Sequence, residues 1–334
     1  MEAGGREEAA MKVSAALPAG VSALFFEAAQ NRRRLEARLA AGLEEAGFSE
    51  VLLPILDYLD PYEPLLTSAG RAELYRFIDR DGEQLALRAD FTTMLARLLA
   101  PRLPALELPL RFFYRGDVVR YQETRPGRQR ESYQMGAELL GVPGAQAERE
   151  MVELCLESLQ SLGMSDLRVV LGFAGALDDL LLAGQERGFS ARQLAAAVER
   201  RERQPVRVAH PALLQVVEKG VPSDSGDLGA PGARALATLD RLRRDLAERF
   251  PEAELIVDLA EFAGTTRDPE LAEGRGRRSY YDGSLFRVYG GSGSEALAGG
   301  GRYDQLFGSL GAVVPAVGFF LAVDRLLWAD GGGP

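Results

Sequence analysis

Across residues 21–46 apolar positions recur at helical spacing, with Phe25, Ala28, Leu35, Leu39 and Leu43 on one stripe and Gly47 as a stop. This pattern predicts an amphipathic helix. Residues 51–56 form a short apolar run whose internal Pro54 suits an edge strand or strand end, because proline donates no ladder hydrogen bond. Residues 74–78 and 84–88 flank Arg80-Asp81-Gly82, and Asp-Gly between two such runs predicts a tight hairpin. Residues 92–99 read as a short helix. Residues 110–121 read as a strand that enters an arginine-rich loop, bends at Pro126-Gly127 and returns through residues 133–140.

Further on, Met151, Leu154, Cys155, Leu159 and Leu162 fall at steps of three and four, so residues 148–162 are expected to be a helix with its cysteine in the core stripe. A strand is expected at 167–171. Residues 174–250, dense in alanine, leucine and arginine, read as a helical insertion broken by the glycines and prolines of 220–232. Strand patterning resumes at 255–259 and 284–289, followed by a glycine-rich turn, a short helix, a strand at 316–320 and a last helix. Residues 1–16 read as a flexible leader, with Met11 a second possible start, and 17–330 as one core. Antiparallel connections with helices grouped in blocks predict an α+β fold rather than a doubly wound sheet.

Composition narrows the function classes. Apolar residues make up 46% and charged residues 26% of the 334, enough to build a sizeable core. No apolar run approaches the roughly 18 residues of a membrane span, and the small, acidic start lacks the layout of a secretory signal. A cytoplasmic chain with no membrane partner is expected. One cysteine, Cys155, excludes an internal disulfide framework, and one histidine, His210, leaves nothing for a histidine-rich metal centre. No metal and no cofactor are expected. The net charge of -10 gives no global attraction to a phosphate backbone.

No P-loop occurs. The run Gly291-Ser292-Gly293-Ser294-Glu295-Ala296 imitates a dinucleotide fingerprint, but no second strand with an acidic ribose ligand follows it. His210 precedes Pro211 in a break between helices and suits a capping or solvent-facing role, which argues against a Ser-His-Asp triad. Two segments do carry chemistry. Arg120-Tyr121-Gln122, the loop with Arg125, Arg128 and Arg130, and then Gln134, Gly136 and Glu138 on one strand face can hold an anion beside a polar amine. Gly299-Gly300-Gly301-Arg302-Tyr303-Asp304 and 315–325 are the other; its glycines are expected to admit a ligand close to the backbone, with Arg325 on a helix just after a strand.

Taken in order, these segments resemble the catalytic core of the histidyl-tRNA synthetases, from about Leu17 to Trp328. Leu87-Arg88-Ala89-Asp90-Phe91-Thr92 is similar to that family's amino-acid-binding turn, 120–138 to its second motif and 300–325 to its closing motif. The resemblance implies a class II synthetase-like antiparallel sheet flanked by helices. The sequence also departs from the synthetase pattern. Gln122 stands where a glutamate helps hold adenine, Gly276 stands where the catalytic arginine is expected (Arg275 and Arg277 being nearby substitutes), and the chain given ends shortly after Arg325, without an anticodon-binding domain.

Those departures, with Tyr280-Tyr281-Asp282-Gly283-Ser284-Leu285-Phe286 and Gly127-Arg128-Gln129-Arg130-Glu131, resemble the ATP phosphoribosyltransferase regulatory subunit family, synthetase paralogues without the tRNA-reading module. The resemblance implies a histidine-binding set of Asp90, Thr92, Arg120, Gln134, Glu138, Tyr280 and Tyr281, and a vestigial ATP site of Arg120, Gln122 and Arg325. Asp90, Thr92 and Gln134 would meet the ammonium group, Arg120 the carboxylate side, and Glu138 with Tyr281 the imidazole. No catalytic residue is implied. The partners implied are a short-form catalytic subunit of the transferase and L-histidine as effector, with no tRNA, in a homodimeric core carried within a hetero-octamer. A truncated enzyme that activates histidine with ATP is the alternative reading, and a scaffold with neither site occupied is the blandest one.

Overall fold

The computed structural model describes residues 16–66, 68–123, 129–265, 281–290 and 293–329. Almost all of the predicted leader, the central loop arginines Arg125 and Arg128, Gly276 and Tyr280 lie outside them.

Helix α1 (Phe26–Glu45) buries Leu35, Leu39 and Leu43, and ends before Gly47, whose φ of +83° only glycine adopts without strain. It starts five residues later than the apolar pattern suggested, and Phe25 and Phe26 ahead of the buried stripe are exposed. β1 (Ser49–Glu50) is an edge strand of the main sheet but stops before the apolar run, so the strand expected at 51–56 does not form. The carbonyls of Leu53 and Pro54 turn instead to Nη1 of Arg88, at 2.7 and 3.0 Å.

β2 (Leu56–Tyr58), β3 (Arg76–Ile78) and β4 (Gln84–Leu87) form a separate three-stranded sheet, with the predicted hairpin as β3–β4. Between these strands lie α2 (Leu59–Tyr62) and α3 (Ser68–Ala72), and after them comes α4 (Phe91–Leu99). The main sheet then takes β5 (Leu110–Val119), β6 (Glu131–Leu140), β7 (Leu167–Phe173), β8 (Glu254–Val257), β9 (Ser284–Gly290), β10 (Ala298–Arg302) and β11 (Ala316–Ala322). Its eight strands run in the order β1-β5-β6-β11-β10-β9-β7-β8. Every interior pair is antiparallel, as expected for α+β, whereas the edge pairs β1–β5 and β7–β8 are parallel, which makes the sheet mixed.

Helix α5 (Ala145–Ser161) carries Cys155, fully buried, in the stripe the spacing predicted. The helical block comprises α6 (Asp178–Ala183), α7 (Ala191–Glu199), α8 (Arg203–Ala209), α9 (Pro211–Lys219) and α10 (Gly229–Arg249). His210 is a cap: its Nδ1 accepts from the backbone N–H of Ala212 at 3.2 Å at the start of α9. The chain ends with α11 (Asp304–Gly308) and α12 (Val323–Ala329).

The sheet has two unlike faces. Met135, Ala137 and Leu139 of β6, Phe286 and Val288 of β9, and Phe319 and Leu321 of β11 join α1, α5, α10 and α12 in one apolar core. Strand alternation sends Gln134, Gly136 and Glu138 to the other face, as the sequence predicted.

Candidate functional site

On that second face the register lines up glycines. Glu138 pairs across β11 with Gly318, which pairs in turn with Gly301 of β10; Tyr114 pairs with Gly136, which pairs with Phe320. A Cβ on Gly318 would stand 1.6 Å from Oε2 of Glu138, and one on Gly136 would stand 2.4 Å from the Tyr114 hydroxyl. The missing side chains let the carboxylate and the phenol lie down on the sheet floor. Within the triplet Gly299-Gly300-Gly301 the structure shows a packing role: a Cβ on Gly300 would stand 2.1 Å from the Gly318 carbonyl oxygen.

Glu138 is 1% exposed. The hydroxyls of Thr92 and Tyr303 each donate to its carboxyl, one to each oxygen, and no arginine or lysine among the described residues forms an ion pair with it. Burial pushes its pKa up to about 8 against the two hydroxyl donors that favour the charged form, and Asp90 pushes the same way as burial. Burial and the Glu138 charge likewise hold the Tyr114 and Tyr303 phenols well above their ordinary range. Tyr281 sits between two apolar clusters and is also raised, by burial and then by the charges of Asp90 and Glu138.

The turn before α4 shapes one wall. Arg88, 5% exposed, donates to the Asp117, Leu53 and Pro54 carbonyls and lies 3.8 Å from the centre of the Phe91 ring. Phe91 in turn stacks on Tyr114 at 4.2 Å. The Tyr62 hydroxyl accepts from the Ala89 and Asp90 amides at 3.1 and 2.9 Å. Asp90 caps α4, its Oδ1 accepting from the Thr93 amide at 2.7 Å, and this fixes Thr92 over Glu138. Arg120 closes the wall by donating from Nε to the Ala89 carbonyl at 2.8 Å.

A cleft of about 390 Å³ opens beside this cluster. Arg120, Gln122, Gln134 and Arg325 line it together, so the sheet brings these four candidates to one place. Asp90, Thr92, Glu138 and Tyr281 are not among its lining residues and form a separate group around the buried Glu138. Arg325 stands at the start of α12, 3.2 Å from Glu295, and donates to the Ala296 carbonyl. The Gln122 amide donates to the Gln129 carbonyl at 2.6 Å. Asp324 accepts from the Tyr133 amide at 2.6 Å and has a raised pKa, through burial first.

Sequence reasoning did not assign Tyr62, Tyr114, Tyr303, Arg287 or Glu261. Arg287 and Tyr289 of β9 line the cleft, and both reach Glu261, Arg287 through Nη1 at 2.8 Å. Burial works to lower the Arg287 pKa, but the hydrogen bond and charge of Glu261 outweigh it and hold the group raised. Tyr114, Arg287 and Tyr289 sit in ordinary strand alternation, and only the register across five strands shows which side they serve.

The sheet, the capped turn and the cleft define a class II aminoacyl-tRNA synthetase-like domain. The histidyl-tRNA synthetase family model matches residues 20–326. An ATP phosphoribosyltransferase regulatory subunit of Moorella thermoacetica is 35% identical over 94% of this chain and 82% of its own length, and one from Symbiobacterium thermophilum is 34% identical over 94% and 79%. A solved ATP phosphoribosyltransferase regulatory subunit/histidyl-tRNA synthetase from Bacillus halodurans superposes with a TM-score of 0.78 at 24% identity, covering 94% of this chain and 82% of that one. The chain belongs to the histidyl-tRNA synthetase-like family and, within it, to the ATP phosphoribosyltransferase regulatory subunits.

Proposed function

We propose that this chain is the regulatory partner of a short-form ATP phosphoribosyltransferase catalytic subunit, required for its activity, and that it reports L-histidine to it as feedback in the first step of histidine biosynthesis. Glu138 and Tyr281 take the imidazole, Thr92, Gln134 and Asp90 the ammonium group, and Arg120 the carboxylate side. The chain itself performs no chemistry, and it works as a homodimeric core carrying catalytic subunits in a hetero-octamer without tRNA. Tyr280, the remaining member of the histidine set, lies outside the described residues.

One observation carries the reading. The deep end of the site buries a carboxyl whose contacts among the described residues are hydroxyls, while at the outer end Arg325 and Gln122 are engaged with Glu295 and the Gln129 carbonyl. A buried carboxyl without a cation nearby is costly, and a ligand that brings an imidazole N–H and an ammonium group relieves that cost. Feedback requires histidine to prefer the inactive assembly; a coupling of about 1–3 kcal/mol is typical, and it is reciprocal.

The test follows phosphoribosyl-ATP formation by the purified short catalytic subunit with and without this chain, then titrates L-histidine. Activation by the chain and inhibition by histidine are expected. A transferase indifferent to the chain overturns the proposal, and histidine-dependent exchange of pyrophosphate into ATP would favour the enzyme reading.

A further inference from the structure

Arg287 takes no part in the histidine set above, yet it is placed to act on the same ligand. It stands on β9, and the register carries its row through Gly299 and Phe320 to Gly136, two residues from Glu138 on β6. Three strand steps and two residues put the Cα atoms of Arg287 and Glu138 about 16 Å apart, a span that two side chains and one amino acid fill. Phe320, whose ring lies against Gly299, lines the cleft floor between them. On the opposite wall Arg120 reaches in from the end of β5, and both guanidinium groups line the one cleft.

The surroundings fix what Arg287 can recognise. Glu261 holds its Nη1, the Phe262 ring lies 5.1 Å from its guanidinium carbon, and Tyr289 donates to the same Glu261 carboxylate. A guanidinium carries five N–H donors in a planar fork, so a group fixed through one nitrogen still presents donors to a second, planar anion. Arg325, the third arginine of the cleft, lies against Glu295. Asp324 meets the Tyr133 amide and lies 3.9 Å from Arg32.

We propose that Arg287, oriented by Glu261 and Tyr289, is a specificity-determining residue of the amino-acid pocket: together with Arg120 it binds the ligand's α-carboxylate while Glu138 takes the imidazole at the other end. The inference rests on the histidine-binding reading above. It makes the pocket select a free amino acid rather than an imidazole as such, so decarboxylated or reduced relatives of histidine escape detection.

Calorimetric titration of the full chain with L-histidine and with histamine, which keeps the imidazole and amine but lacks the carboxylate, tests it. The wild-type protein is expected to prefer histidine. Arg287→Gln should weaken histidine binding roughly 10- to 100-fold, the loss of a charge-assisted bond, and leave histamine binding within about threefold. Arg287→Lys should fall between. Equal losses for the two ligands, or no loss for either, with histidine still bound by the wild type, overturn the role of Arg287 alone. A wild-type protein that binds neither ligand overturns the histidine-binding reading and this inference with it. Unchanged thermal unfolding separates a lost contact from a damaged fold.

Discussion

The buried Glu138 cluster and the cleft beside it are built on opposite electrostatic plans. Glu138 is fully enclosed and meets hydroxyls, while in the cleft Arg325 meets a carboxylate, that of Glu295. An enclosed carboxyl that lacks a cation is costly to ionise and gains much from a ligand that supplies an N–H or a positive charge. A part-exposed arginine already beside a carboxylate gains far less from a phosphate. The comparison places the unspent binding energy of the site at the amino-acid end.

The largest consequence concerns Glu138 and pH. Below about pH 4.5 this carboxyl is protonated in both folded and unfolded chains, and its ionisation costs nothing. From there up to its folded pKa of about 8 the unfolded chain ionises it while the folded chain keeps the proton, so stability falls as pH rises. Above that value both states are ionised and the cost is constant. At 1.36 kcal/mol per unit the full effect has an upper bound of about 5 kcal/mol. Urea unfolding midpoints of wild type and Glu138→Gln across pH 5 to 9 should therefore converge toward the acid end and separate toward the alkaline end, with the variant more stable there. Parallel profiles would refute the account of an uncompensated deep carboxyl. The same variant should lose histidine binding by roughly 10- to 100-fold, since an amide cannot ionise to meet the ligand's positive charge.

Much of this contrast was legible before the structure, though unevenly. The alternation along residues 134–138 put Gln134 and Glu138 on one face, and the Asp-Gly hairpin and the Cys155 core stripe followed from local pattern. What local pattern could not supply was pairing across strands. Tyr114 and Arg287 become site residues because Gly136 and Gly299 stand beside them in the register, and Glu138 is set on the floor by its pairing with Gly318 of β11, far along the chain. The packing role of the glycines at 299–301 depends on pairing in the same way, since their closest neighbours are backbone atoms of adjoining strands. The run 51–56 failed as a strand because the Arg88 side chain, far along the chain, claims the Leu53 and Pro54 carbonyls.

The floor itself offers the second test. Gly318→Ala places a methyl 1.6 Å from Glu138 Oε2, so the carboxyl must move off the sheet and lose at least one hydroxyl partner. Overpacking of this kind costs about 1–3 kcal/mol, to be read from the shift in unfolding midpoint. Gly308→Ala is the control: nothing lies within 4 Å of its added Cβ and its backbone is helical, so its cost should be near zero. Similar costs at the two positions would mean that the trough floor tolerates a side chain and that the glycines do not hold Glu138 in place.

The smallest effect is expected at the outer end. Arg325 and Glu295 are part-exposed, at 26% and 42% of their side-chain surface, and such a pair contributes about 0–1 kcal/mol. Arg325→Gln should change stability by no more than that, and should leave histidine affinity within about threefold, because the group stands beside Glu295 and apart from Glu138. The variant also sharpens the distinction between the two ends. In a working histidine-activating enzyme, an arginine here would stabilise charge developing on the phosphates, and its loss would cost about 100- to 1000-fold in pyrophosphate exchange. For a regulator, exchange should be at background in wild type and variant alike, with Glu295 already occupying the guanidinium. Measurable exchange in the wild type that disappears in Arg325→Gln would move the outer end from vestige to machinery and reverse the comparison drawn between the two poles.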